Sequence, residues 1–393
     1  MKIEPRTLKG FRDFLPKDAR RRQYVIEALK SVFESYGFEP LETPALEYED
    51  ILLGKYGEEG DKLMYRFEDN GQRRVALRYD QTVPLARVVA QYENELPLPF
   101  KRYQISNVWR AENTQKGRFR EFLQCDIDIV GSTSPSCDAE TIQIVISSLQ
   151  KLGFKNFRIL VNDRSLFGEI SKDAVIAIDK LKKIGEEKVK EELSQKGIDP
   201  KVLDEIKRNE PTDSLEKMIN LVNDERVVFE PTLARGLDYY TGLIIEVEIE
   251  GYSAGSVGGG GRYDNLIGMF AGKQIPAVGF AFGFDRLLEA MDELNLFPAE
   301  LDGKTKVLVT IPSIELEKTS MEIAAKLRSS GINTESWLDE TKIDRQFKYA
   351  EKKEIPYVVV PLDSRTVELR TKSQAGEIVK KTIELKTLPD EIV

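Results

Sequence analysis

The stretch Phe100–Gly131, FKRYQISNVWRAENTQKGRFREFLQCDIDIVG, decides how the chain is read. Four basic residues, Arg110, Lys116, Arg118 and Arg120, surround Gly117, and the segments on either side alternate apolar and polar residues as half-buried strands do. The pattern predicts a β-hairpin with a basic tip. Its incoming strand delivers Arg110, and its outgoing strand sets Gln124, Asp126 and Asp128 two residues apart, hence on one face. Buried carboxylates are costly unless a cation meets them, so this row implies a pocket for a ligand carrying an ammonium group. Arg110 beside it suits a phosphate or a carboxylate. The plainer alternative is a salt-bridged surface hairpin.

The chain of 393 residues is long enough for two or three domains, each with its own core. Its 41% hydrophobic and 32% charged residues are those of a soluble globular protein. There is no run of about 18 apolar residues, so no membrane span is expected. The first residues, MKIEPRTLKGFRDF, lack the apolar core of a secretion signal. Cys125 and Cys137 form neither a disulfide framework nor a metal-type spacing, and a reducing cytoplasm is the expected home. A net charge of −9 argues against broad non-specific nucleic-acid binding. Residues 304–393 nevertheless carry 16 Lys and Arg against 15 Asp and Glu, so local basic surfaces on an acidic body can still hold a structured RNA. There is no histidine at all, which removes the commonest general base and the commonest metal ligand.

Taken in order, residues 17–36 predict an amphipathic helix with Val25, Ala28, Val32 and Tyr36 on one face and Gly37 as its stop. FEPLETPALEYEDILL is extended and broken by Pro40 and Pro44. MYRFED and RRVALRYD predict a hairpin that runs into a helix through Pro84; Arg78, Asp80 and Thr82 alternate there, with Thr82 a candidate helix cap. Asp138 is a candidate cap for a helix carrying Ile142, Val145 and Leu149, and NFRILVND is a strand. Residues 165–225 turn helical and densely charged, most of the charges serving as a solvated face. ARGLDYYTGLIIEVEIE then gives a strand in which Ile245, Val247 and Ile249 alternate with glutamates. Gly258–Gly261 permits close backbone approaches, though neither a Walker loop nor a dinucleotide fingerprint is present. AVGFAFGFDRLLEAM gives a strand and a helix from about Phe284, with Arg286 in the first turn. A cation opposes the helix dipole there and calls for an anion, which Asp285 or solvent can supply. After a linker at LNLFPAELDGKT, strands and helices alternate as in a small α/β domain.

The hairpin resembles motif 2 of the class II aminoacyl-tRNA synthetases, and FREFLQCDIDIVG, ARGLDYY and SVGGGGRYD are similar to the histidyl-tRNA synthetase versions. The helix feeding the Pro-containing strand resembles the dimer-forming motif 1, and AVGFAFGFDR resembles motif 3. The resemblance implies an α+β class II catalytic core, an antiparallel sheet flanked by helices, with a helical insertion and a C-terminal α/β anticodon-binding domain. It divides the chain into catalytic residues 1–164 and 226–300, an insertion at 165–225 that contacts tRNA, and an anticodon domain at 304–393. The implied reaction joins histidine to ATP, with Mg²⁺ on the nucleotide phosphates and no protein metal cage, and then charges tRNA(His). A homodimer without membrane attachment is expected.

The resemblance also assigns roles. Arg110 and Arg235 flank the forming anhydride as the catalytic pair. Arg110, Glu112, Arg118, Phe122 and Arg286 hold ATP, with Phe122 and Arg286 sandwiching the adenine. Asp80, Gln81, Thr82 and Gln124 surround the histidine ammonium, and Asp128, Tyr239 and Tyr240 its imidazole. Gln115 and Lys116 meet the tRNA acceptor end, or are solvated loop residues. A carboxylate nucleophile needs no general base, so a chain without histidine can perform this step. Two competing readings are the histidine-sensing regulatory subunit of ATP phosphoribosyltransferase, which is built on the same core, and an RNA-binding pseudo-synthetase. The first normally lacks the anticodon domain and departs from the ARGLDYY pattern, which this chain keeps.

Overall fold

The computed structural model describes residues 3–53, 63–114, 118–234, 239–302, 305–339, 341–372 and 377–392. The chain divides into two compact units, Met1–Phe297 and Pro298–Val393. In the first, the elements run α1 (Pro16–Ser35), β1 (Glu39–Pro40), β2 (Leu46–Tyr48), α2 (Glu49–Leu52), β3 (Arg66–Glu68), β4 (Arg74–Leu77), α3 (Thr82–Gln91), β5 (Phe100–Trp109), β6 (Glu121–Val130), α4 (Pro135–Lys151) and β7 (Phe157–Asp163). There follow α5 (Lys172–Asp179), α6 (Leu181–Ile184), α7 (Glu186–Gln195), α8 (Lys201–Ile206), α9 (Asp213–Val222), β8 (Val227–Phe229), β9 (Leu243–Ile249), β10 (Gly258–Arg262), α10 (Gly268–Ala271), β11 (Ala277–Gly283) and α11 (Phe284–Glu293).

Eight strands form one sheet in the order β1-β5-β6-β11-β10-β9-β7-β8, and β2, β4 and β3 form a small separate one. The large sheet is antiparallel through its centre, as the resemblance implies, and becomes mixed through parallel pairs at its two edges. Its central pairs are antiparallel, whereas β1 pairs with β5 and β8 with β7 in parallel. One face is the main core. Tyr103, Cys125, Ile127, Ile129, Ile159, Val161, Ile245, Val247, Phe280 and Phe282 point into it, against Leu29 and Phe33 of α1, Ile142 and Leu149 of α4, Met218 of α9 and Leu287 and Met291 of α11. Each of these side chains removes enough apolar area from water to contribute about 1.5–3 kcal/mol.

The opposite face is divided. At its β7/β9 end, Leu160 and Ile244 have the other parity and pack beneath Val175, Ile178, Val189, Leu193, Leu203 and Ile206 of helices α5–α8. The densely charged segment therefore has an apolar underside, and its last helix, α9, belongs to the main core. Over β5, β6 and β11 it is covered at one end by Leu85 and Val89 of α3 with Ile267, which pack on Phe100, Val130 and Ala277, and its polar stretch meets the turn before α3.

Several local expectations are corrected. The segment read as extended through Leu53 contains the helical turn α2. Thr82 lies inside α3 and caps nothing; the Val83 N–H donates to Asp80 Oδ1 instead, at 3.3 Å. Helix α4 is capped by Ser134, which accepts from the Ser136 N–H, while Asp138 is buried against Arg262 at 2.6 Å. Asp285 does not neutralise Arg286; it pairs with Arg12 and Arg22, each at 2.9 Å.

The second unit has the sheet order β13-β12-β14-β15-β16, built from β12 (Val307–Val309), β13 (Thr334–Ser336), β14 (Tyr357–Pro361), β15 (Thr366–Lys372) and β16 (Ile378–Glu384), with helices α12 (Glu317–Ser329) and α13 (Ile343–Lys352). β12, β13 and β14 are parallel, and β15 and β16 extend them as an antiparallel hairpin. Val307, Val309, Val359 and Leu369 pack against Ile323 and Leu327 of α12.

Candidate active site

Strand register builds the site. Arg102, Gln104 and Ser106 of β5 lie opposite Asp128, Asp126 and Gln124 of β6. Those three in turn lie opposite Gly279, Ala281 and Gly283 of β11, and Gly279 and Ala281 opposite Gly261 and Gly259 of β10. Cross-strand partners share a face, so polar, acidic, small and glycine rows follow one another across the sheet. The small rows sink below the acidic one. Thr82, Asp126, Asp128, Tyr239, Tyr240, Tyr263 and the backbone of Gly259–Gly261 line the resulting hollow, and no side chain in it carries an imidazole. The glycines are demanded by closeness: a Cβ on Gly279 would sit 1.9 Å from Asp128 Oδ1, and one on Gly260 2.1 Å from the Gly279 carbonyl oxygen.

The cation that the acidic row required is supplied by the protein itself. Arg102, fully buried, places Nη2 2.6 Å from Asp128 Oδ2, and the Tyr263 hydroxyl donates to Asp128 Oδ1. Sequence reading missed both residues. Arg102 carried a signal, since it sits at the polar parity of an alternating strand, but its partner depends on the register of β5 on β6, which the sequence alone does not fix.

Burial pushes the Asp80 carboxyl up to about 7, opposed by the Arg110 and Arg102 guanidinium groups. Burial likewise pushes Asp126 up to about 8, with Arg102 opposing and Asp128 adding to the rise. Asp128 is also raised by burial, against the pull of Arg102 and Tyr263. The fold thus holds protons that the unfolded chain, with carboxylates near pH 4, has released. In that window the native state binds more protons, so these groups make stability fall as pH rises from about 4 through about 8. We expect the thermal midpoint of Asp126→Asn to come closest to that of the native protein near pH 4 and to exceed it by a growing margin up to about pH 8. A constant difference across that range would refute the raised carboxyl.

The other expected residues fall as follows. Gln81 is fully buried, its amide nitrogen on Ser106 O (2.9 Å), Ser106 Oγ (3.0 Å) and Gln124 O (3.2 Å); it ties the turn to the hairpin and does not line the hollow. Gln124 donates its amide to Asp126 Oδ2 at 2.8 Å. Arg110 follows β5, anchored by its Nε on Tyr79 O at 3.0 Å, with its guanidinium carbon 5.1 Å from the Phe122 ring. Glu112 and Arg118 face each other at 3.6 Å across the hairpin. Arg286, in the first turn of α11, donates to Ser256 O at 2.9 Å. Tyr239 and Tyr240 are in contact, ring centroids 4.5 Å apart, and Tyr263 meets Tyr239 edge-on. Arg235, Gln115 and Lys116 lie outside the described residues. The arrangement sets an acidic hollow floored by glycine backbone near Asp80, with Arg110 anchored on Tyr79 and facing the half-buried Phe122 ring.

A histidyl-tRNA synthetase family profile matches residues 10–199 and 185–287, and an anticodon-binding domain profile matches 306–393. A histidine–tRNA ligase of Aeropyrum pernix is 44% identical over 365 residues, covering 84% of each chain.

The chain belongs to the histidyl-tRNA synthetase family.

A second relative, the histidine–tRNA ligase of Korarchaeum cryptofilum, is 38% identical and matches over 98% of this chain and 97% of its own. Among solved structures, the histidyl-tRNA synthetase from Nostoc sp. PCC 7120 superposes with a TM-score of 0.83 at 31% identity, over 100% of this chain and 99% of that one. A Bacillus halodurans structure described as an ATP phosphoribosyltransferase regulatory subunit/histidyl-tRNA synthetase has a TM-score of 0.73 at 21% identity, covering 89% and 97%, a likeness of fold alone. The histidyl-tRNA synthetase profile thus spans the strands of the mixed sheet, and the anticodon-binding profile spans the second unit. Among the described residues no helix is long and apolar enough to cross a membrane.

Proposed function

We propose that this chain is a histidine–tRNA ligase acting in the cytoplasm as a homodimer. It joins histidine to ATP as histidyl-adenylate with release of pyrophosphate, then passes the histidyl group to the 3′-terminal ribose of tRNA(His). One observation carries the reading of the site: the acidic hollow is floored by glycine backbone, and Asp80, two residues from its Thr82 wall, feels the guanidinium of Arg110, which in turn lies 5.1 Å from the Phe122 ring. Histidine's ammonium enters next to Asp80, Thr82 and Gln124, where buried carboxyls and amide oxygens favour a cation. Its ring lies against Asp128, Tyr239 and Tyr240.

The carboxylate of histidine attacks the α-phosphorus, and Arg110 steadies the charge that develops there. Arg235 is assigned the opposite side of the anhydride by the family likeness. Phe122 and Arg286 take the adenine between them, a stacking worth about 0.5–2 kcal/mol. Glu112 reads the base, and Arg118, released from Glu112, takes the distal phosphates. Mg²⁺ arrives with ATP as part of the nucleotide substrate. Gln115 and Lys116 are assigned the tRNA acceptor end, and helices α5–α8 the tRNA body.

Histidine-dependent ATP–pyrophosphate exchange tests the whole reading, with tRNA charging as its second half. Tight histidine binding without exchange would instead support the regulatory-subunit reading, and tRNA binding without either would support the pseudo-synthetase. We expect Arg110→Ala to lower kcat/KM for exchange by about 10²–10³, the usual scale for one lost transition-state donor. Unchanged exchange would remove Arg110 from the chemistry.

A further inference from the structure

Residues 10–14, ahead of α1, touch both arms of the β5–β6 hairpin and the first turn of α11. The Gly10 carbonyl accepts the Arg120 N–H at 2.9 Å. Gly10 has φ +89°, and a Cβ there would lie 2.8 Å from Arg120 Cγ on the outgoing arm and 2.9 Å from Thr114 Cγ2 on the incoming one. That backbone angle and that close approach require glycine. Two residues on, Arg12 lays its guanidinium carbon 3.2 Å from the centroid of the Phe119 ring and sets Nη2 2.9 Å from Asp285 Oδ1. Its Nε has no hydrogen-bond partner among the described residues, so stacking on the ring is what fixes the guanidinium plane. Asp285 also pairs with Arg22, but the aromatic contacts of Arg22 are Phe14 and Phe284, outside the hairpin. Arg12 reaches the hairpin and α11 at once.

We propose that Arg12 is a positioning residue for ATP: it clamps the outgoing arm of the hairpin to the first turn of α11 and so holds Arg118 and Arg286 at the spacing the nucleotide needs. This rests on the site being that of an ATP-dependent ligase. The two groups that Arg12 joins are sequence neighbours of those two cations, Phe119 following Arg118 and Asp285 preceding Arg286. Holding Asp285 sets the rotation of the helical turn that carries Arg286, about 100° further round. Holding Phe119 sets the arm that carries Arg118. Arg12 itself is neutralised by Asp285 and laid against a ring, so it acts on ATP through these two neighbours and not by its own charge. Neither Arg12, Phe119 nor Asp285 lines the acidic hollow, so the amino acid is left out of its reach. A clamp of this kind matters because groups held in the right geometry bind and react without first having to be brought there.

The test is pyrophosphate exchange by the full-length protein, with KM measured separately for ATP and for histidine, well below each variant's thermal midpoint. Under those conditions a loss of folded enzyme lowers kcat and moves neither KM. Arg12→Ala is expected to raise the ATP KM about 10-fold, the scale of a cation–π contact together with a partly buried ion pair, and to leave the histidine KM within about twofold. Arg12→Lys keeps a charge for Asp285 but loses the flat stack, so its ATP KM should fall between the two. Phe119→Leu removes the ring alone and should also raise the ATP KM. Combined with Arg12→Ala it should add little, because both changes break one clamp. If Arg12→Ala does not fold, Arg12→Lys takes its place in the same cycle, with the same non-additive result expected. An unchanged ATP KM in the folded Arg12 variant, an equal rise in the histidine KM, or additive effects of the Arg12 and Phe119 changes would each overturn the proposal. Absence of histidine-dependent exchange in the native protein would instead be a failure of the functional reading, a separate outcome.

Discussion

Gly279→Ala is expected to lower histidine-dependent pyrophosphate exchange by about 10²-fold or more and to destabilise the catalytic unit by about 1–3 kcal/mol. The added methyl would lie 1.9 Å from Asp128 Oδ1, 2.7 Å from its Cγ and 2.9 Å from the Ile127 carbonyl oxygen. None of these can move cheaply. The carboxyl is held by Arg102 and Tyr263, and the carbonyl belongs to the neighbouring strand of a paired ladder. Relief comes either from parting β6 and β11 or from driving Asp128 into the cavity, and both alter the place where the amino acid sits. Exchange assays and thermal unfolding together check this. Full activity with an unchanged midpoint would mean that the two strands are less close than described.

Arg102→Met should be the most destabilising single change at the floor of the site, by about 3–5 kcal/mol, because it leaves Asp128 buried with no cation. Adding Asp128→Asn should recover a large part of that loss, since the remaining amide still has Tyr263 as a neighbour and carries no charge. Stability of the single variant should also fall more steeply with pH than that of the native chain. Without Arg102 the carboxyl is raised further, and the proton that it binds in the fold is lost as pH climbs. Urea unfolding of the two singles and the double completes the cycle. An additive result would show that Arg102 and Asp128 do not depend on one another.

Much of this architecture announces itself through period and punctuation. Alternation marks β5, β6 and β9, and the step from AVGFAFG to FDRLLEAM marks β11 and α11, because each strand keeps one face in the main core. Elements without that contrast stay hidden. β16 has Lys380 and Lys381 in its middle, and only Ile383 of its seven residues is buried, so no apolar period exists to read. β10 is four glycines and an arginine, a strand without side chains to alternate. In the site, the turn before α3 and the acidic row were visible as residue types, whereas Arg102 and Tyr263 were not visible as partners. Their contacts with Asp128 depend on register and on a chain separation of 135 residues for the tyrosine. Asp138 shows the same limit: as a local signal it reads as a helix cap, and only the fold brings Arg262 to it from 124 residues away.

A pocket of carboxyls, phenols, amides and glycine backbone, in a chain without one histidine, has a spectroscopic consequence. In ¹⁵N magnetic resonance the imidazole nitrogens form a separate window, and in this protein that window is empty until ligand is added. Every signal seen there in the complex comes from bound histidine, so its tautomer, its charge and the hydrogen bond at each ring nitrogen can be read directly, at natural protein composition and without editing away a background.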